Sequence, residues 1–142
     1  MVNGLSEIIT PEMFECLYNM GHCDSLAIVD ANYCGGSLGK RIIRIPIIDN
    51  HKLLYEILKL IPIDEDNENS AFIFKPDHCD TEVPQAWNDY RRIIMDYNKN
   101  IELREICRDE FNQRTKESYA TICTQDKRLY ANIILHKGVI LA

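Results

Sequence analysis

The stretch MGHCDSLAIVDANY, Met20 to Tyr33, decides the fold because it encloses a short apolar run between two polar segments. The run SLAIVDA is typical of a buried strand. Asp30 and Asn32 stand where the run ends, and ligands of open α/β sheets bind outside the carboxyl ends of strands. The two residues are therefore candidate ligand contacts, although Asp and Asn are also ordinary turn residues.

Outward from this strand, helices and strands alternate along the chain. Apolar residues recur at three and four positions in the predicted helices, and short apolar runs mark the predicted strands. The helices are expected over about 11–20, 50–61, 85–97 and 108–117, and the strands in SLAIVDA, RIIRIPI, AFIFK, YATICT and YANIILHKGVIL. This order predicts one α/β domain over residues 1–142, with three layers (α/β/α) and a mixed, mostly parallel central sheet.

Composition argues against several classes of partner. The 142 residues include 16 Lys and Arg against 22 Asp and Glu, a net charge of −6, so no broad basic face for nucleic acid is expected. The first residues lack a signal peptide pattern, and no apolar window is long enough to cross a membrane. We therefore expect a cytoplasmic protein whose six cysteines, which lack CxxC spacing, are reduced and mostly in the core.

Two apparent motifs fail on inspection. The loop CGGSLGKR has Cys34 where a phosphate-binding loop needs glycine, and Arg41 where it needs Ser or Thr. It is therefore expected to be a connection. The segments GHCD and DHCD, residues 21–24 and 77–80, each place His beside Cys. Adjacent side chains of a helix or strand point in different directions, so we expect no zinc site.

His22 is the candidate general acid or base. It follows Gly21 at the turn between a predicted helix and a predicted strand, and histidine titrates near neutral pH. A surface or capping histidine is the alternative interpretation of this feature alone.

Two motifs resemble a known family. MGHCDSLAIVDANY and LYANIILHKGVI, residues 129–140, are similar to the signature pair of the L-fucose mutarotase and D-ribose pyranase family, and the likeness in length and element order covers essentially the whole chain. DANY and VPQAWNDYRRI, residues 83–93, resemble the fucose branch, whereas Ala131 also occurs on the ribose side. The resemblance implies an isomerase for L-fucose; a mutarotase of ribose or another monosaccharide, or a sugar-binding module without catalysis, remains open.

The resemblance also implies roles for individual residues. His22 and Tyr130 would transfer protons, and Asn112 stands where members of the fucose branch often have a second catalytic tyrosine, for which Tyr119 is a possible substitute. The remaining sugar contacts implied are Asp30, Asp64, Phe74, Arg108, Tyr119, Tyr130 and Asn132. Acid and base suffice for the reaction, so no cofactor or metal is expected. Family members further imply a homodecamer of two pentameric rings, with the sites between subunits.

Overall fold

The computed structural model describes residues 2–66, 68–76 and 82–142, and its strands form one sheet. The strands in chain order are β1 Ser25–Val29, β2 Ile42–Arg44, β3 Ala71–Phe74, β4 Leu103–Ile106, β5 Ala120–Cys123 and β6 Ile133–His136. The spatial order is β2-β5-β1-β6-β3-β4, and β6 runs antiparallel to both of its neighbours while the other pairs are parallel. The prediction of a mixed, mostly parallel sheet is confirmed.

Helices cover both faces of the sheet. They are α1 Pro11–Asn19, α2 Asn50–Leu58, α3 Gln85–Tyr97 and α4 Arg108–Glu117. Successive residues of a strand point to opposite faces. Leu26 and Ile28 of β1 accordingly pack into the core shared with α1, α2 and α3, whereas Ala27 and Val29 pack on the face where α4 supplies Phe111. The three predicted layers are therefore present.

Local sequence explains where the helices begin. Thr10 caps α1, its hydroxyl oxygen accepting a hydrogen bond from the Met13 N–H at 3.2 Å, and Pro11 takes the first helical position, where no N–H is needed. The same helix buries Met13, Cys16 and Leu17 at helical spacing. All four helices lie within two or three residues of their predicted ranges.

Strand β4 was not predicted. Its centre carries Arg104 and Glu105, both exposed, so the apolar run that marks the other strands is missing. The strand lies at one edge of the sheet, where charged side chains prevent pairing with other chains. β2 forms the opposite edge, and Pro46 follows its end, as expected for proline near an edge strand.

The expectation that most cysteines lie in the core is wrong. Cys16 and Cys123 are buried, but Cys23, Cys34 and Cys107 are exposed because they stand in connections outside the strands and helices; all five are free thiols. The DHCD segment and its cysteine lie outside the described residues.

Candidate functional site

A pocket of about 240 Å³ opens at the carboxyl ends of β1 and β3. Its lining combines the segment after β1, the end of β3, the first turns of α4 and the loop before β6. The lining residues are Asp30, Asn32, Tyr33, Cys34, Phe74, Arg108, Asn112, Leu129, Tyr130 and Asn132. Five of the predicted site residues are among them: Asp30, Phe74, Arg108, Tyr130 and Asn132. The pocket lies at the sheet edge predicted from the end of β1.

Asp30 and Asn132 form a reciprocal pair at the base of the pocket. The Asp30 backbone N–H donates to Asn132 Oδ1 at 2.8 Å, and Asn132 Nδ2 donates to Asp30 Oδ2 at 2.9 Å. The Asn32 N–H donates to Asp30 Oδ1 at 2.9 Å. Burial raises the pKa of Asp30, and these hydrogen bonds oppose the shift by stabilising the carboxylate. The carboxyl group is therefore held in one orientation at the pocket.

Aromatic rings form one wall of the pocket. The rings of Phe74 and Tyr130 meet edge to face with centroids 5.7 Å apart, and Phe111 supports Phe74 from behind at 5.6 Å. The Arg108 guanidinium carbon lies 5.0 Å from the Phe74 ring centroid. The wall thus presents an apolar surface beside charged and hydrogen-bonding groups, the combination that orients a small polar ligand.

The turn that carries Tyr130 and Asn132 is held from beneath. Tyr130 has a φ of 59°, in the left-handed region that bulky residues rarely adopt. The next carbonyl, that of Ala131, accepts hydrogen bonds from Asn50 Nδ2 at 2.7 Å and from the Tyr90 hydroxyl at 3.0 Å. Asn50 and Tyr90 are both fully buried, so α2 and α3 fix this turn.

An ion-pair network anchors the start of the same loop. Arg128 donates to Asp126 at 2.7 Å through Nη2 and to Asp89 of α3 at 2.7 Å through Nη1. Burial opposes ionisation of Asp126, but the hydrogen bonds from Arg128 and from the Asn50 N–H outweigh it and lower the pKa of Asp126. Arg92 also pairs with Asp89 at 2.7 Å, so two cations balance the two carboxylates on which the loop rests.

Sequence reasoning missed Tyr33. Its hydroxyl donates to Asn112 Oδ1 at 2.7 Å, and burial raises its pKa to about 12. The resemblance implies a phenol at position 112, and in the structure Tyr33 places one beside that position from a different segment. The signal was present in the sequence, because Tyr33 is the last residue of the DANY segment.

The other predicted residues lie at the opposite end of β1. His22 Nε2 is 3.2 Å from Asp64 Oδ2, and the His22 side chain is 50% exposed. The Tyr119 N–H donates to the Ser25 carbonyl at 2.9 Å, at the start of β1, and its ring lies under Arg41. Five strand residues span about 17 Å. Within one chain, His22, Asp64 and Tyr119 are therefore separated from the pocket by the length of the strand.

The fold and the pocket define a class: a small α/β protein whose site, at the carboxyl ends of sheet strands, suits a small ligand rich in hydrogen-bonding groups. The chain belongs to the RbsD / FucU transport protein family, whose sequence profile it matches over residues 3–140. Among the described residues, no helix has both the length and the apolar character needed to span a membrane.

Relatives extend over nearly the entire chain. A fucose mutarotase of Mus musculus is 30% identical, with 98% of this chain and 95% of the relative covered, and one of Danio rerio is 32% identical, with 99% and 95% covered. The crystal structure of the fucose mutarotase of Streptococcus pneumoniae in complex with L-fucose superposes with a TM-score of 0.89 at 33% identity, covering 99% of this chain and all of the other. Bacillus subtilis RbsD complexed with D-ribose shares the fold at a TM-score of 0.72 and 17% identity.

Proposed function

We propose that the protein is an isomerase that interconverts the α and β anomers of L-fucose. The observation that carries the proposal is the pocket itself: a fixed carboxylate and amide, Asp30 and Asn132, face an aromatic wall with two phenols, in a chain similar along its full length to fucose mutarotases. Carboxylate and amide groups bind sugar hydroxyls, and the Phe74 ring packs against the apolar face of the sugar.

The reaction requires two proton transfers. A base removes the proton of the anomeric hydroxyl, whose oxygen becomes the aldehyde oxygen, while the bond from carbon 1 to the ring oxygen breaks and an acid protonates that oxygen. Rotation about the bond between carbons 1 and 2 followed by the reverse steps gives the other anomer. Positioned acid and base groups each contribute roughly 10² to 10⁴ in rate. No group is consumed, and neither a cofactor nor a metal takes part.

We assign the proton transfers to His22 and Tyr130. An imidazole can both accept and donate a proton, and the exposed ring of His22 is oriented by Asp64. Tyr130 stands in the pocket with Arg108, which would stabilise a developing phenolate. Tyr33 adds a second phenol on the side of Asn112, where it would bind a hydroxyl or assist the transfer.

A complete site then needs two copies of the chain. One end of β1 carries His22, Asp64 and Tyr119, and the pocket lies at the other end. These three residues and the pocket residues can contact the same sugar only when His22 of one copy faces the pocket of a second copy. We propose such sites in a homodecamer of two pentameric rings. The exposed apolar residues Leu129, at the pocket, and Val139, Ile140 and Leu141, beyond β6, support an interface. Light scattering that gives a monomer at micromolar concentration would contradict it.

We also propose that the protein works in the cytoplasm. The five described cysteines are free thiols, and three are exposed, which suits a reducing compartment. Cell fractionation with an antibody to the protein tests this location.

The activity is tested by saturation-transfer NMR on the anomeric protons of L-fucose. His22→Ala should lower the exchange rate about 100-fold or more while sugar affinity is largely retained, because Asp30, Arg108 and Asn132 still bind hydroxyls. Added imidazole should restore part of the rate, which a merely structural loss at position 22 would not allow.

Three results would redirect the proposal. Exchange of D-ribose but not L-fucose would identify the substrate as ribose. Binding of L-fucose without faster exchange would indicate a sugar-binding module. Weak binding with a nearly unchanged exchange rate in His22→Ala would make His22 a sugar contact only.

A further inference from the structure

The end of the chain that bears His22 holds a second cluster of chemically active groups. His22, Cys23 and Asp64 each present one metal-ligating atom, and the three atoms lie within 4.8 Å of one another. Sequence reasoning set a metal aside here because neighbouring side chains diverge in helices and strands. Cys23 is in neither: its φ of 69° is in the left-handed region, and this turns its thiol back over the imidazole of His22.

The separation of the His22 and Asp64 atoms suits a tetrahedral ion, and the Cys23 thiol lies within reach of that ion. Zinc binds nitrogen or oxygen at about 2.0 Å and sulfur at about 2.3 Å, so tetrahedral ligands stand about 3.3 Å (N to O) and about 3.5 Å (S to N) apart. His22 Nε2 lies 3.2 Å from Asp64 Oδ2, as tetrahedral zinc requires, whereas Cys23 Sγ lies 3.5 Å from both ring nitrogens of His22 and must turn toward Nε2 to reach the ion. The thiol is exposed, so rotation of its side chain brings sulfur and carboxylate to the same ion.

Both ligand-bearing segments are fixed to the same stretch of backbone. The Cys23 N–H donates to the Lys137 carbonyl at 3.0 Å, and the Asp64 N–H donates to the His136 carbonyl at 2.8 Å. A Cβ atom added to Gly138 would lie 2.7 Å from the Ile63 carbonyl oxygen. The stretch that ends at Gly138 and the segment that carries Asp64 therefore approach as closely as glycine allows. The backbone that carries the ligands is therefore fixed before an ion arrives and only the Cys23 side chain has to turn, which favours binding.

We infer that His22, Cys23 and Asp64 form a site for a thiophilic divalent cation, zinc above all, with a fourth position open to water. One nitrogen, one thiolate and one carboxylate match zinc better than calcium or magnesium, which take oxygen ligands. The thiol proton of Cys23 goes to solvent on binding, and the two anionic ligands balance the charge of the ion.

Zinc at this site would inhibit the proposed reaction. A neutral imidazole that binds zinc through Nε2 carries its proton on Nδ1 and has no lone pair left to accept another, so zinc and catalysis exclude each other. This consequence rests on the proposed function, whereas metal binding does not.

Binding is measured first, on the full chain after treatment with EDTA. Titration with Co²⁺ should produce a thiolate-to-cobalt charge-transfer band that is lost in Cys23→Ser and kept in Cys107→Ser, which removes another exposed thiol. Zinc, measured by competition with a chromogenic chelator, should bind Asp64→Asn at least about tenfold more weakly, since even residues that only support a ligand contribute about that much. A band that persists in Cys23→Ser, or unchanged zinc affinity in Asp64→Asn, overturns the site.

Inhibition is measured next, by fucose exchange with and without zinc, each variant being compared with its own rate in EDTA. Exchange should stop at saturating zinc and return with EDTA, and Cys23→Ser should need at least about tenfold more zinc for the same relative loss. Exchange that continues at saturating zinc overturns the inhibition. Absence of exchange in EDTA counts against the proposed function instead, and the cobalt and zinc binding results stand by themselves.

Discussion

Tyr90→Phe tests whether α3 holds the turn of the pocket. The substitution removes only the hydroxyl that donates to the Ala131 carbonyl at 3.0 Å, and the carbonyl keeps its bond from Asn50 at 2.7 Å. No acceptor is left wholly unpaired, so the loss stays near the net value of one buried hydrogen bond, about 1 kcal/mol. For a chain of this length the melting temperature should fall by about 3 °C. The same energy limits the weakening of L-fucose binding to about fivefold.

Urea unfolding at a fixed protein concentration and titration with L-fucose measure the two effects. Tyr97→Phe is the matched control, since Tyr97 lies on the same helix but is 38% exposed, and its hydroxyl accepts a longer hydrogen bond, 3.3 Å, from the Ile63 N–H. Equal urea midpoints for the two variants would refute the role of the Tyr90 hydroxyl. Reduced stability with unchanged fucose affinity would show that the bond stabilises the fold without positioning the pocket.

Three further predictions concern the two ends of the sheet. Burial raises the pKa of Asp30 in the folded protein above its value in the unfolded chain. The stability that protonated Asp30 contributes is therefore fully present below the unfolded pKa and is lost as pH rises through the folded pKa. Urea unfolding across acidic pH should show this loss in the wild type and not in Asp30→Asn, and parallel curves for the two proteins would contradict it. Tyr33→Phe should slow fucose exchange in saturation-transfer NMR by about tenfold or more if the phenol transfers a proton, and an unchanged rate would restrict it to a structural role. Gly138→Ala should destabilise the fold by about 1 to 3 kcal/mol in urea unfolding, because the added methyl group meets the Ile63 backbone; wild-type stability would show that the contact relaxes freely.

Sequence reasoning succeeded where the signal is local. The apolar run of β1 and the helical spacing in α2 and α3 require no knowledge of distant partners, and these elements appear close to their predicted positions. Asp30 could be placed at a binding edge for the same reason, since it ends a buried strand. β4 was not predicted because an edge strand with the exposed residues Arg104 and Glu105 at its centre lacks an apolar run.

The separation of His22 from the pocket could not be predicted, because it depends on pairing between distant segments. Ser25 pairs with His136 across the antiparallel neighbour, which places the residues after β6 beside His22. Nothing near His22 in the sequence specifies that register. The positive φ of Cys23 is likewise a property of the folded turn, held by a bond to the Lys137 carbonyl, and it reverses the direction that a strand or helix would give the thiol.

The position of β6 bears on how the chain folds. The strand is sixth in sequence, yet it stands between β1 and β3 and pairs with both. The three strands β2, β5 and β1 form one parallel group, and β3 and β4 form another, and in the described sheet these groups pair only through β6. During synthesis, therefore, the sheet stays in two parts with unpaired edges until residues 133–136 have left the ribosome. Such late, long-range pairing slows folding and exposes strand edges to aggregation, so point substitutions in β6 should reduce the yield of folded protein more than equally buried substitutions in α1.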